Sequence, residues 1–221
     1  MMVMPADNTG IVVGYLAGRY PGKLGHLFGP SRRNGPFAFM PYALDNGAFA
    51  AGDNWEEAPW YSLLDWAKLS GQKPLWAIVP DVVGDRLRTI RKWGIYAPQL
   101  ARYGWPLAFA VQDGMTPEDV PSDASVVFVG GTTEWKWQTV AIWCKAFPRV
   151  HIGRVNTYWR LWECHDAGAE SCDGTGWMRG NQRQLRGLLA YLEESTGRAK
   201  RVTQLELIDR PLQAESSVRL R

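Results

Sequence analysis

The chain has 221 residues, 46% apolar and 21% charged, which is a globular composition with room for one domain or one barrel that uses the whole chain. No apolar run approaches the roughly 18 to 20 residues of a membrane helix, and the start MMVMPADN has no charged-then-apolar leader pattern. A formal net charge of +3 is too small to argue a nucleic-acid partner until the charges are placed, and the unusual entry is tryptophan, at 12 residues.

Short β-like runs alternate with helical periodicities. Residues 10–16 (GIVVGYL) read as a first buried strand, followed by a long loop over 17–35. That loop holds five glycines, two prolines and the basic residues Arg19, Lys23, Arg32 and Arg33, with no acid. Residues 37–44 (FAFMPYAL) read as the second strand, and Trp60, Leu63, Leu64 and Ala67 share a helical face. Residues 75–79 (LWAIV) form the third strand, and Leu87, Ile90, Trp93, Ala97 and Leu100 a second helical stripe headed by Asp85. Strands follow at 107–111 (LAFAV) and 125–129 (SVVFV). A helix carrying Trp137, Val140, Ala141, Cys144 and Phe147 then leads to a strand at 149–155 (RVHIGRV). A helix with Leu161, Trp162 and His165 precedes a short strand at 170–173 (ESCD). The last stripe is Leu185, Leu188, Leu189 and Leu192, and 202–208 (VTQLELI) is the one candidate for an eighth strand. These strands are apolar on both faces, as in a covered parallel sheet. The pattern predicts an α/β fold, first a compact (β/α)₈ barrel over 1–195, second an open doubly wound sheet, with a basic tail over 196–221.

Cys144, Cys164 and Cys172 are odd in number and make no CxxC pair, which predicts free thiols and a reducing, cytoplasmic compartment. His26, His151 and His165 are scattered, and no set has zinc spacing, so no metal is expected. Polar residues instead gather where strands end: Asp45-Asn46-Gly47-Ala48-Phe49, Pro80-Asp81, Gln112-Asp113-Gly114, Gly130-Gly131, Arg154-Val155-Asn156 and Asp173-Gly174-Thr175-Gly176. In a barrel the C-terminal strand ends converge on one mouth, where active sites are built. Taken singly, Asp85 or Asp113 reads equally well as a cap or turn former. Two facing carboxylates suit chemistry at a sugar carbon, one attacking the anomeric centre and the other managing a proton. Amides and backbone N–H groups suit a heterocycle edge, and Phe49 its face.

The ordered set DNGAF, PD, QDG, GG and CDGT, over about Leu44 to Gly180, resembles the tRNA-guanine transglycosylase superfamily, and most the small phage-type DNA-guanine transglycosylases. The resemblance implies a barrel that exchanges guanine for a 7-deazaguanine through a glycosyl–aspartate, with no cofactor. It makes Asp173 the nucleophile and Asp45 the general base. It makes Asp81 and Gln112 readers of the base, Gly130 and Gly131 a source of a backbone N–H, and Phe49 its stacking partner. Ile152 and Gly153 match the stretch under the opposite face of the base. The family's zinc-binding cysteines after the nucleophile are absent, which leans toward DNA rather than tRNA as the polymer. Asp113 adds a carboxylate that the family lacks, either to select a 7-substituent or to hold a neighbouring loop. Arg154 and Asn156 contact the scissile sugar or its phosphate, or Arg154 pairs with a mouth carboxylate. Arg19, Lys23, Arg32, Arg33, Arg179 and Arg183 are the candidate phosphate contacts. Trp135 and Trp177, each just beyond a motif, are candidate pocket walls.

Overall fold

The computed structural model describes residues 1–31 and 34–202. Eight parallel strands run in the order β1-β8-β7-β6-β5-β4-β3-β2. They are β1 (Met2–Pro5), β2 (His26–Phe28), β3 (Tyr42–Leu44), β4 (Ala77–Ile78), β5 (Leu107–Val111), β6 (Val126–Val129), β7 (Val150–Ile152) and β8 (Ser171–Gly174). The first and last strands of that order meet through the bridges Val3–Leu24 and Ala6–Leu27, which close the sheet into a (β/α)₈-type barrel.

Strand alternation sorts the core into two parts. Met4, Leu27, Ala43, Trp76, Ile78, Ala108, Ala110, Val126 and Phe128 fill the barrel. Their neighbours Val3, Phe28, Leu44, Ala77, Phe109, Val111, Val127, Val129 and Ile152 face outward onto helices. Ala43, Ala108 and Ala110 share this interior with the large rings of Trp76 and Phe128.

The helices are α1 (Ile11–Arg19), the single turn α2 (Ala48–Ala51), α3 (Glu57–Leu69), α4 (Arg86–Leu100), α5 (Thr133–Ala146), α6 (Tyr158–Ala167) and α7 (Gln182–Ser195). α3 buries Trp60, Leu63, Leu64 and Ala67, the stripe expected from spacing; each large side chain contributes about 1.5–3 kcal/mol on burial. Asp85 caps α4 by accepting from the Arg88 N–H at 2.9 Å. The stripe on α5 is shifted from expectation. Lys136, Val140 and Trp143 are the buried residues, and Ala141 is exposed. Among the described residues no helix is long and apolar enough to cross a membrane.

The N-terminal quarter departs from the sequence reading. Residues 10–16 form most of helix α1, with Val13 and Leu16 buried and Ile11 and Tyr15 exposed. The first strand is Met2–Pro5, too short to register as an apolar run. A second strand, His26–Phe28, lies inside the stretch read as a loop. The barrel thus reaches eight strands without 202–208, which from residue 203 lies outside the described residues, as does most of the basic tail.

Candidate active site

Parallel strands put the residues after β3, β4, β5, β6 and β7, and the end of β8, on one rim. Asp173 belongs to β8, 5% exposed, at its mouth end. Its Oδ2 lies 3.1 Å from His151 Nε2, and its Oδ1 accepts the Arg154 backbone N–H at 3.1 Å. His151 is fully buried in the barrel axis, stacked on Phe128 at 4.9 Å and edge-on to Trp76 at 4.8 Å. Its Nδ1 is 2.8 Å from Ser171 Oγ. An ionised Asp173 selects the tautomer with hydrogen on Nε2, and the Ser171 hydroxyl then donates to Nδ1. Arg154 has φ +60°, an uncommon conformation for a non-glycine residue, and this turn aims its N–H at the carboxylate. Buried Lys136 of α5 donates to the Gly153 carbonyl just before that turn. Burial pulls the Lys136 ammonium down to about 8.

Asp45 follows β3 and keeps some exposure at the rim. Burial first, and then the nearby charge of Asp173, push its pKa up to about 7, against the opposing Gly47 N–H. That N–H donates to Oδ1 at 3.2 Å. Asp81 is 7% exposed and held on both oxygens: Asn46 Nδ2 donates to Oδ1 at 2.7 Å and Gln112 Nε2 to Oδ2 at 2.7 Å. Burial raises the Asp81 carboxyl, while Asn46, Lys92 and Gln112 pull the other way. Gln112 Oε1 accepts the Gly131 N–H at 3.0 Å and the Gly84 N–H at 2.9 Å. Gln112 therefore positions Asp81 and two loops. The Gly130 N–H donates to the Val111 carbonyl, so both backbone donors expected to meet a base have partners within the protein.

The Arg154 guanidinium reaches back across the rim, donates to the Gly131 carbonyl and lies 4.2 Å above the Phe49 ring. Phe49 is 61% exposed. Asp113 receives the Thr132 N–H at 2.7 Å and the Thr132 hydroxyl, so it holds the neighbouring loop. Asn156 accepts the Gly176 N–H at 3.0 Å and braces the β8 exit. Gly153 packs against Phe128, where a Cβ would come within 2.9 Å of the ring.

Some expectations are corrected. Ile152 faces the helical shell, because parity on β7 turns His151 inward. Trp177 is a buried shell residue, and Trp135 backs Gly131. Arg19 and Lys23 do not lie at the mouth. Arg19 ends helix α1 and Lys23 follows it, where a strand had been expected, so both sit at the opposite end of the barrel. Arg19 pairs with Glu193 at 2.6 Å, and Lys23 lies near the N-terminal amine that begins β1. Arg32 and Arg33 lie outside the described residues. Arg179 and Arg183 are exposed on the mouth side, after β8 and in the first turn of α7. Sequence reasoning missed His151 and gave Asn46 no role. The usable signal for His151 was a polar residue at an inward strand position, level with Phe128.

No protein-family model and no curated protein matches the chain. Among solved structures it is similar to one described as "Native KDPGal structure", at 13% identity and TM-score 0.48, covering 89% of this chain and 93% of that one.

Proposed function

We propose that this barrel is a base-exchange enzyme that replaces guanine in DNA with a 7-deazaguanine, with tRNA as the alternative polymer. Asp173 attacks the anomeric carbon as the bond to guanine N9 breaks, forming a glycosyl ester, and the departing guanine anion takes a proton from solvent, to which Asp45 later returns the proton that it removes from the incoming base. Asp45 takes the N9 proton of the incoming base. That nitrogen then attacks the same carbon, and the ester bond to Asp173 breaks. Two displacements retain the sugar configuration. Asp81 offers its remaining lone pairs to the base edge, and Phe49 its face.

The observation that carries this reading is the contrast between two neighbouring carboxylates. Asp173 accepts a backbone N–H on one oxygen and has an imidazole nitrogen 3.1 Å from the other. Asp45 is poised to change protonation near neutrality. The same pair would serve a nucleoside or glycoside hydrolase, so the test must separate the acceptors.

DNA carrying labelled guanine is incubated with protein and an unlabelled 7-deazaguanine, beside matched tRNA and base-free samples. Label release that needs the added base and falls at least a thousandfold in Asp173→Asn is the expected result. Release without added base, leaving abasic sites, identifies a hydrolase. Undiminished release by Asp173→Asn removes the nucleophile.

A further inference from the structure

Lys136 is 1% exposed, on the same buried face of α5 as Val140 and Trp143. A buried ammonium costs free energy that a methionine of similar length avoids, and its retention points to a task. Its Nζ donates to the Gly153 carbonyl. The Arg154 N–H belongs to that same peptide group, and it donates to Asp173 Oδ1 at 3.1 Å. A trans peptide points its C=O and its N–H in opposite directions, so the ammonium and the carboxylate sit on opposite sides of one resonant unit. A cation on the oxygen draws electron density toward it and makes the N–H a stronger donor, as hydrogen bonds in series do.

The charged and titratable groups around Lys136 are Arg154 on the β7–α6 turn, Asp173 on β8, and Cys164 and Arg160 on α6. Burial and the like charge of Arg154 hold the ammonium down, Asp173 pulls it up, and the balance lies at about 8. The cation is therefore present at neutral pH and lost above it. Burial pushes the Cys164 thiol up, so it stays neutral through that range.

We propose that Lys136 is a positioning residue that acts on Asp173 through the Gly153–Arg154 peptide, strengthening that N–H so that Asp173 leaves the sugar readily in the second half of the exchange. This role rests on the base-exchange reading. The electron pair of the bond from Asp173 to the anomeric carbon returns to the carboxylate as N9 of the incoming base takes the carbon. A donor that stabilises the carboxylate speeds that departure and slows the first attack, whereas a purely structural brace affects both halves alike.

Two measurements separate the link from the chemistry. Glycine labelled at its carbonyl carbon and arginine labelled at nitrogen together mark the Gly18–Arg19, Gly153–Arg154 and Gly197–Arg198 peptides of the intact protein. Arg154→Lys identifies the Arg154 signal by its loss. NMR is expected to show the Arg154 amide proton stepping upfield around pH 8 as Lys136 loses its proton, and no such step in Lys136→Met. The parent's own titration stands if Lys136→Met fails to fold. In exchange on DNA with a 7-deazaguanine, Lys136→Met is expected to lower kcat about tenfold. It keeps or raises kcat/KM for DNA, and it accumulates the glycosyl–protein ester, seen on a denaturing gel after acid quench. An Arg154 amide without the step overturns the link whether or not exchange occurs. A joint fall of kcat and kcat/KM with no added ester overturns the leaving-group role. Absence of exchange in the parent removes the base-exchange reading instead, and the amide step then decides whether Lys136 acts on Asp173.

Discussion

At the scale of single residues, the barrel axis carries one polar column, Ser171–His151–Asp173, inside an otherwise apolar fill. His151→Phe keeps the ring stack on Phe128 and removes the donor to Asp173. Under the proposed base exchange, we expect kcat to drop about 10–100-fold with KM nearly unchanged, as for other residues that orient a reacting group through a hydrogen bond. Steady-state kinetics at saturating base read this directly. Asp45 gives two pH dependences of opposite sign. Its ionised fraction grows as pH rises through about 7, so kcat/KM climbs below that pH and levels above it. Stability moves the other way. The native carboxyl keeps its proton up to about 7, whereas an unfolded one releases it near 3.8, so each step up between those values favours the unfolded chain. Asp45→Asn is therefore more stable than the parent at pH 8, on the order of 2 kcal/mol after allowance for partial exposure, and equal to it near pH 3. Urea unfolding at both pH values measures the difference. Asp45, Asp81 and Asp173 were legible in the sequence because acids closing apolar runs have few structural duties. His151 was not, since a histidine within a strand reads as core.

At the scale of elements, α1 shows how a β-like run becomes a helix. Ile11, Val12 and Val13 have β-branched side chains, yet Val13, Leu16 and Tyr20 alone are buried, at the i, i+3, i+7 spacing of one helical face. The exposed Ile11 and Tyr15 hid that face by making the run look uniformly apolar. The misread element turned the following basic loop to the wrong end of the barrel, which is why Arg19 serves a surface ion pair. The β6–α5 loop was read more closely, since its glycines do meet a steric demand. Gly131 has φ +65°, and a Cβ there would lie 2.6 Å from the Trp135 ring and 2.7 Å from Asp113 Oδ2. Gly131→Ala is expected to lose about 2–4 kcal/mol of stability, measured by chemical denaturation. Gly180→Ala, also at positive φ but with nothing within 4 Å of its Cβ, loses about 1 kcal/mol.

At the scale of the molecule, alternating strand and helix signals were enough for the barrel, but not for its phase. Two strands of three or four residues, Met2–Pro5 and His26–Phe28, are too brief for periodicity to reveal and exist because neighbours pair with them. They also form a thin seam. β1 and β2 meet through two bridges, with hydrogen bonds from Val3 to Lys23, Gly25 to Val3 and Asp7 to Leu27, whereas β5 and β6 share four paired positions. Native-state hydrogen exchange should find the Gly25 and Asp7 amides opening at a free energy about 1–3 kcal/mol below those of Phe109 and Val127. Equal protection across both pairs would show that the ring opens only as a whole. The arginine that spans the rim has a thermodynamic consequence of its own. With its guanidinium on Phe49 and bonded to the Gly131 carbonyl, the protein is its own resident guest. A planar ring arriving at Phe49 must evict it, so measured affinity is a difference between two stackings, and the intrinsic grip of the site exceeds any dissociation constant by the fraction of molecules with that seat vacant.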